Sequence, residues 1–332
     1  MKITAPVRSP EEVDMLLHCG ADELYCGVAT PEWEAHFGGQ WWMNRRSPQA
    51  ANLKSWEALS RVVSRAHEAA VKVSLVLNAP FYPRGSRGYL LKLSEKVVKD
   101  LSMDGLIVSD LPLLVALHGE ALPVRLHVSS LGGCFNSHTV DFYQSLGACR
   151  IILPRQLTLR EMERLVRSRA SRMEFEVFAL NDGCYFEEGF CQTSHAMGPF
   201  CLTDWKAVPV PEGEAADIPS EEEMREKTEL LRRHLWIQNN CGSTSQPSGL
   251  PNGPCSLCQF PRFRDWGVAA VKIVGREASF QRKMASLQLV KAVMDETRAG
   301  ASTEAAARLA RGLRGTPELC DGGAMCYFKE GE

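Results

Sequence analysis

Long apolar runs, a dominant charge sign, a secretory leader and the common hydrolase signatures are all missing from this 332-residue chain. No apolar stretch approaches the roughly 20 residues that cross a bilayer, and the mean hydropathy is −0.18. Lys and Arg number 38 against 40 Asp and Glu, a net charge of −2. That balance excludes a broad nucleic-acid-binding face and leaves room only for a local basic groove. The opening M-K-I-T-A-P-V-R-S-P has no charged-then-apolar leader, so a soluble protein in the reducing cytoplasm is expected. No G-x-G-x-x-G follows the first strand, which argues against a dinucleotide-binding sheet. Neither G-x-S-x-G nor H-E-x-x-H occurs, so serine-hydrolase and zinc-protease chemistry lack their usual marks. Ser129 and Ser130 lie near His127, but neighbours in a strand point to opposite faces, and adjacency does not make a catalytic pair.

What the chain does have is cysteine. Eight of its twelve cysteines follow residue 180, and six crowd one stretch: Cys184, Cys191, Cys201, Cys241, Cys255 and Cys258. The first two sit in E-V-F-A-L-N-D-G-C-Y-F-E-E-G-F-C (176–191), the last two in G-P-C-S-L-C (253–258). Flanking Gly and Pro make the backbone loop-like, so sulfurs can turn inward. Disulfides would need an oxidising compartment, and a chain this long buries a core without staples. Zinc is the alternative, because Cys255-x-x-Cys258 is ribbon-like, although no second C-x-x-C follows at the usual spacing. Cys19, Cys26, Cys134 and Cys149 sit among apolar or small residues and read as buried thiols. For the later cysteines an iron–sulfur cluster is the expected use.

Strand and helix alternate through the first 180 residues. Strands are expected near 2–5, 22–25, 71–78, 104–110, 124–129, 149–155 and 173–180, and an eighth at 267–276. Helices between them carry start signals: Ser9 with Pro10, Ser55, and Thr158 as N-caps. Residues 26–54 read as a long loop holding Trp33, Trp41, Trp42, Arg45 and Arg46, and 221–235 as an acidic, solvated helix. Eight such strands predict an α/β fold, a (β/α)8 TIM-type barrel with a cysteine-rich insertion, 181–266, between strands 7 and 8. Residues 1–300 would form one barrel domain, and 301–332 a C-terminal helix and cysteine-containing tail. An open doubly wound sheet is the competing topology.

Barrel active sites lie at the C-terminal strand ends. Tyr25, Asn78, Asp110, His127, Ser129, Arg155, Lys272 and Arg276 fall at or near those ends. Asp110 and His127 are the candidates for proton transfer there, although Asp110 can equally cap the helix at 111 and His127 can be a core histidine. Arg155, Arg276 and Arg45 or Arg46 are expected to converge at the mouth, where planar guanidinium groups bind carboxylate or phosphate in a two-pronged way. The tryptophans of 26–54 would lie over a flat ring or base.

Several of these segments also resemble one family. A-P-V-R-S-P-E-E-V with H-C-G-A-D-E-L-Y-C-G, V-L-N (76–78), I-V-S-D (107–110), H-V-S-S (127–130), G-A-C-R-I-I-L-P-R (147–155) and K-I-V-G-R (272–276) are similar to motifs of peptidase family U32, the collagenase-like peptidases. Glu176, Phe178, Cys184, Gly189, Cys191 and Ser194 match the family signature, whereas Asn181, Asp182 and Gly183 depart from it, as does Val274 from a usual glutamate. The resemblance implies a barrel-like fold and a 4Fe–4S cluster through Cys184 and Cys191, with Cys201 as a third ligand. Cys241, Cys255 or Cys258 would be the fourth, and Cys320 and Cys326 resemble a tail feature suited to a second metal. Asn78 and Glu176, with Arg45 and Arg46, are the expected substrate-binding set. The resemblance also divides the function. Oxygen-independent hydroxylation of an RNA base or a quinone-type ring is favoured by the cluster, with RNA or a small aromatic carboxylate as substrate. A peptidase, or a cluster-carrying partner of another family member in a hetero-oligomer, are the alternatives.

Overall fold

The computed structural model describes residues 1–37, 41–46, 48–181, 219–229 and 254–315, with 317–321, 323, 326–328 and 330. Its centre is a closed barrel of eight parallel strands in sequence order. These are β1 (Lys2–Pro6), β2 (Glu23–Cys26), β3 (Lys72–Leu77), β4 (Gly105–Val108), β5 (Arg125–Val128), β6 (Ala148–Ile152), β7 (Glu174–Leu180) and β8 (Ala270–Ile273). Closure comes from β1 against β8, with Ile3 beside Val271 and Thr4 beside Lys272. The strands are buried almost throughout, as β-sheets covered by helices must be.

The helices follow from local signals. Between β1 and β2 lies α1 (Val13–His18); Ser9 makes no side-chain cap, and a 3₁₀ turn (Pro10–Glu12) leads in instead. The loop expected over 26–54 contains two short helices, α2 (Pro31–Phe37) and α3 (Pro48–Ala51). Each opens on a proline, which suits a first helical position, but neither is long enough to show a helical period. Ser55 caps α4 (Trp56–Glu68) through the Ala58 amide. Then come α5 (Arg87–Lys99), α6 (Leu111–Gly119) and α7 (Ser137–Ser145). Thr158 and Glu161 form a complete capping box on α8 (Leu159–Arg169), placing Leu159, Met162, Leu165 and Val166 against the barrel.

Beyond β7, residues 221–229 are helical (α9). The chain rejoins the barrel at Cys255, paired antiparallel to Leu180, and continues into α10 (Phe260–Trp266). The sequence had suggested insertion as far as 266. Phe260, Phe263 and Trp266 are instead buried, and α10 packs beside α8 and α11 as the outer helix between β7 and β8. Next follow α11 (Phe280–Arg298), capped by Ser279, α12 (Thr303–Arg314) and α13 (Pro317–Asp321). The tail folds back on the barrel, where Tyr327 and Phe328 join the core. No helix among the described residues is long and apolar enough to cross a membrane.

Candidate active site at the barrel mouth

The stem of the barrel is unusual for its charge. Arg150 on β6 donates to Glu23 on β2 (Nη2–Oε1 3.1 Å), to Glu176 on β7 (Nη1–Oε2 3.1 Å) and to Glu174 (Nε–Oε2 2.8 Å). Lys2 also donates to Glu23 Oε1, at 2.8 Å, and Lys272 on β8 reaches Glu176 Oε1 at 2.7 Å. Burial pushes the Glu23 carboxyl up, but the hydrogen bonds and charge of Arg150 and Lys2 outweigh it and hold Glu23 at about 2. Glu176 is therefore a strut of this network, 1% exposed, and not a wall of the mouth. His127 also belongs to the stem. It is buried, its Nε2 has no hydrogen-bond partner, and burial, with Arg150 and Arg125, keeps the ring neutral well below its ordinary pKa.

Above this network, at the C-terminal strand ends, the expected cations do share a space. Arg45, Arg46, Arg155, Lys272 and Arg276 line one narrow cleft of about 60 Å3, with Tyr25, Asn78, Ser129 and Phe178 between them. Among the described residues, no Asp or Glu lines it. The Arg155 guanidinium carbon stands 3.6 Å from the centre of the Phe178 ring and 5.7 Å from that of Tyr327, within the range of a cation–π contact. Lys272 Nζ lies 3.9 Å over the Tyr25 ring, and the Tyr25 hydroxyl donates to the Ile273 carbonyl at 3.0 Å. Asn78 accepts from the Arg45 amide (3.2 Å) and donates to Ser129 Oγ (3.2 Å).

Arg276 shows why the local sequence matters. Gly275, at φ +104°, turns the chain after β8 in a conformation that L side chains rarely adopt. Arg276 then donates to Asn52 Oδ1 (3.0 Å) and Asn44 Oδ1 (2.8 Å), two uncharged partners supplied by 41–54. Gly27, just past β2, makes the space. A Cβ there would stand 2.0 Å from Asn52 Oδ1 and 2.1 Å from Arg276 Nη1. Burial lowers Arg276 to about 10, so it stays a cation at neutral pH.

The other expected residues lie elsewhere. Asp110 caps α6, its Oδ1 accepting from the Leu113 amide at 2.7 Å. It faces a separate cavity of about 410 Å3 with Tyr82, Arg84 and Leu90, and burial raises its carboxyl. Trp33 is 1% exposed and packs against Phe37, Tyr82 and Tyr89, its Nε1 donating to the Trp41 carbonyl, so it is core. Cys184, Cys191, Cys201 and Cys241 lie outside the described residues. Cys255 and Cys258 are described, beside Cys326. Among the described residues, no group of three or more His, Cys, Asp and Glu is gathered closely enough to hold a metal ion as it stands.

The model of peptidase family U32 matches residues 8–328. The chain belongs to that family. Two curated relatives are each named tRNA hydroxylation protein P. The one from Escherichia coli K12 is 32% identical over 42% of this chain and 30% of its own length. The one from Haemophilus influenzae is 27% identical over 58% of this chain and 38% of its own. The match thus covers less than two fifths of either relative's length. A solved structure, that of the U32 peptidase Mk0906, covers 55% of this chain and 69% of its own at 15% identity and a TM-score of 0.41.

Asn44 and Asn52 were not singled out by sequence. Lys272 was, because a lysine inside the apolar strand A-V-K-I must point somewhere polar. Glu23 and Arg150 had the same signal, each a charge within an apolar strand. Nothing marked the two asparagines, whose role depends on a fold-back of 41–54 onto β8.

Proposed function

We propose that this U32-family chain acts in oxygen-independent hydroxylation of a tRNA base, and that the mouth cleft receives the anionic part of its substrate. The observation that carries this reading is a cleft lined by five cationic side chains and, among the described residues, no acid. At about 60 Å3 it has room for roughly two waters, enough for a phosphate or carboxylate head but not for a whole base. The base or ring would therefore lie outside it. Arg276 and Arg155 would fix the anion, and Lys272 over Tyr25 would set its depth. A 4Fe–4S cluster on Cys184, Cys191, Cys201 and one later cysteine would supply the electron transfer that hydroxylation without dioxygen requires. The names of the two curated relatives support the tRNA reading. The peptidase reading draws less support, because Ser129 Oγ accepts from Asn78 and from the Leu131 amide and His127 is locked in the stem. A quinone-type ring with a carboxylate would suit the same cleft.

The test is expression in a bacterial strain deleted for its own tRNA hydroxylation protein P, with nucleosides from bulk tRNA analysed by mass spectrometry. The hydroxylated nucleoside should return with the wild-type chain and be absent with Arg155→Met or Arg276→Gln. No return with a well-folded, cluster-loaded chain would overturn the tRNA assignment.

A further inference from the structure

A second opening lies at the mouth end of the barrel, beside the cleft. The chain leaves β3 through A-P-F-Y-P-R-G-S-R-G (79–88), whose last two residues begin α5. With the start of α6, this loop lines the cavity of about 410 Å3 that Asp110 faces. Cavity and cleft are neighbours. Asn78 in the cleft wall directly precedes the loop, and the Tyr82 hydroxyl in the cavity donates to the Met43 carbonyl at 2.7 Å, two residues before Arg45. Much of the lining is apolar: Leu90 and Leu113 are buried, with Pro83 and Pro112 beside them. Arg84 and Arg87 also line it, and both are exposed. Among the described residues, neither guanidinium has a hydrogen bond or an ion pair.

We propose that this cavity is a nucleotide subsite for the RNA strand: Arg84 and Arg87 hold a backbone phosphate, and the apolar lining takes the base of a nucleotide next to the modified one. It rests on the tRNA reading above, and it gives a base the room that a cleft of about 60 Å3 lacks. A cavity of this size lies within the range of small-molecule sites. The two arginines do nothing for the fold around them. Arg87 stands in the first turn of α5, where a cation opposes the helix dipole. Ser86 does not cap that helix, because its hydroxyl donates to the Pro83 carbonyl at 2.8 Å. Two guanidinium groups on one short turn suit a phosphate, which accepts from both.

The glycines keep the opening clear. Gly85 turns the chain at φ +85°, and a Cβ on Gly88 would meet nothing within 4 Å. Asp110, the one acid lining the cavity among the described residues, is 9% exposed and spends its carboxylate on the Leu113 amide. Its single charge is outnumbered by the two arginines.

The test measures binding of bulk tRNA, and of AMP as a free nucleotide, to the full chain over a range of salt. Arg84→Gln with Arg87→Gln should weaken tRNA binding roughly 10–100-fold and flatten its salt dependence by about 0.7–0.9 of a logarithmic slope unit, one phosphate contact. Lys92→Gln with Lys96→Gln removes the same charge from exposed positions further along α5 and should change tRNA binding far less. Gly88→Leu tests the cavity without touching charge. Its urea midpoint should stay at or above that of wild type, since leucine favours a helix over glycine, while tRNA binding falls roughly 10-fold with the base excluded. Equal losses in the arginine and lysine pairs would mean a general field and overturn the subsite, as would a Gly88→Leu chain that binds tRNA as wild type does. AMP binding lost in the arginine pair with tRNA binding intact also overturns it, because the cavity would then serve a free nucleotide. A wild-type chain that binds no tRNA removes both readings. If tRNA is bound with this dependence on Arg84, Arg87 and Gly88 but is never hydroxylated, the earlier reading alone falls.

Discussion

The stem and the mouth of this barrel handle positive charge in opposite ways. In the stem, Arg150 and Lys272 each close on buried carboxylates, and Glu23, Glu174 and Glu176 answer them within about hydrogen-bond length. At the mouth, Arg276 is held by two neutral asparagines and Arg155 by an aromatic face. Lys272 belongs to both, with its ammonium on Glu176 below and its position in the cleft wall above. The stem spends its charges on structure, because a buried ion must be paired to be tolerated. Under the proposed function, the mouth would direct its positive charge at a substrate anion, and low dielectric would strengthen that attraction. Substitutions should therefore separate: stem changes act on stability and mouth changes on binding.

The largest effect is expected in the stem. Arg150→Met removes one cation from among three carboxylates and should cost about 3–5 kcal/mol, read as a lower urea midpoint. A loss below about 1 kcal/mol would mean that water reaches these carboxylates and would erase the contrast. The same network predicts acid sensitivity. Glu23 titrates at about 2 in the folded chain against an ordinary 4.5. Its folded pKa is depressed, so its contribution is present above pH 4.5 and is lost as pH falls toward 2. That loss amounts to about 3 kcal/mol at 1.36 kcal/mol per pKa unit. In Arg150→Met the acid-dependent component of this window should shrink.

At the mouth the readout changes. Arg276→Gln should leave the urea midpoint within about 1 kcal/mol of wild type but weaken phosphate or tRNA binding by roughly 10–100-fold, the worth of one charged hydrogen-bonding group. Gly27→Ala sharpens the point without touching any charge. Its Cβ would fall 2.0–2.1 Å from Asn52 and Arg276, so the guanidinium must move, at about 1–3 kcal/mol of strain. Binding, measured by filter retention or calorimetry, should fall nearly as far as in Arg276→Gln. If Gly27→Ala binds as wild type does, the fixed position of Arg276 is not what the cleft uses.

Much of this contrast was legible in the chain itself, and the limits have physical causes. The barrel follows from strand–helix alternation, because eight parallel strands with crossover helices have few ways to close. The mouth arginines could be placed because Arg155 and Arg276 directly follow strands, where position alone fixes the end of the barrel. Asp110 and His127 could not be sorted in the same way. A strand-end residue may face the mouth, the stem or the next helix, and one residue of register decides which. The helices of 31–37 and 48–51 were hidden because seven and four residues are too few to show a period. Trp33 was read as a ligand platform, yet it fills the space under those helices.

Asp110 gives the smallest and most discriminating test, since the sequence offered it two roles. Its carboxylate accepts the Leu113 amide at 2.7 Å and sits in a cavity that contains none of the mouth arginines. Loss of an N-cap costs about 1 kcal/mol on replacement by alanine, and asparagine caps nearly as well as aspartate. Asp110→Ala should thus lower the urea midpoint by about 1 kcal/mol, and Asp110→Asn should leave it nearly unchanged. Neither should alter phosphate or tRNA binding at the cleft. The pH profile discriminates further. Burial raises this carboxyl, so a proton-transfer role would make activity follow its ionisation and vanish in Asp110→Asn, whereas a cap would keep full activity there. Retained tRNA hydroxylation in Asp110→Asn, together with a destabilised but active Asp110→Ala, assigns this carboxylate to α6 and leaves the anion chemistry of the mouth to its arginines.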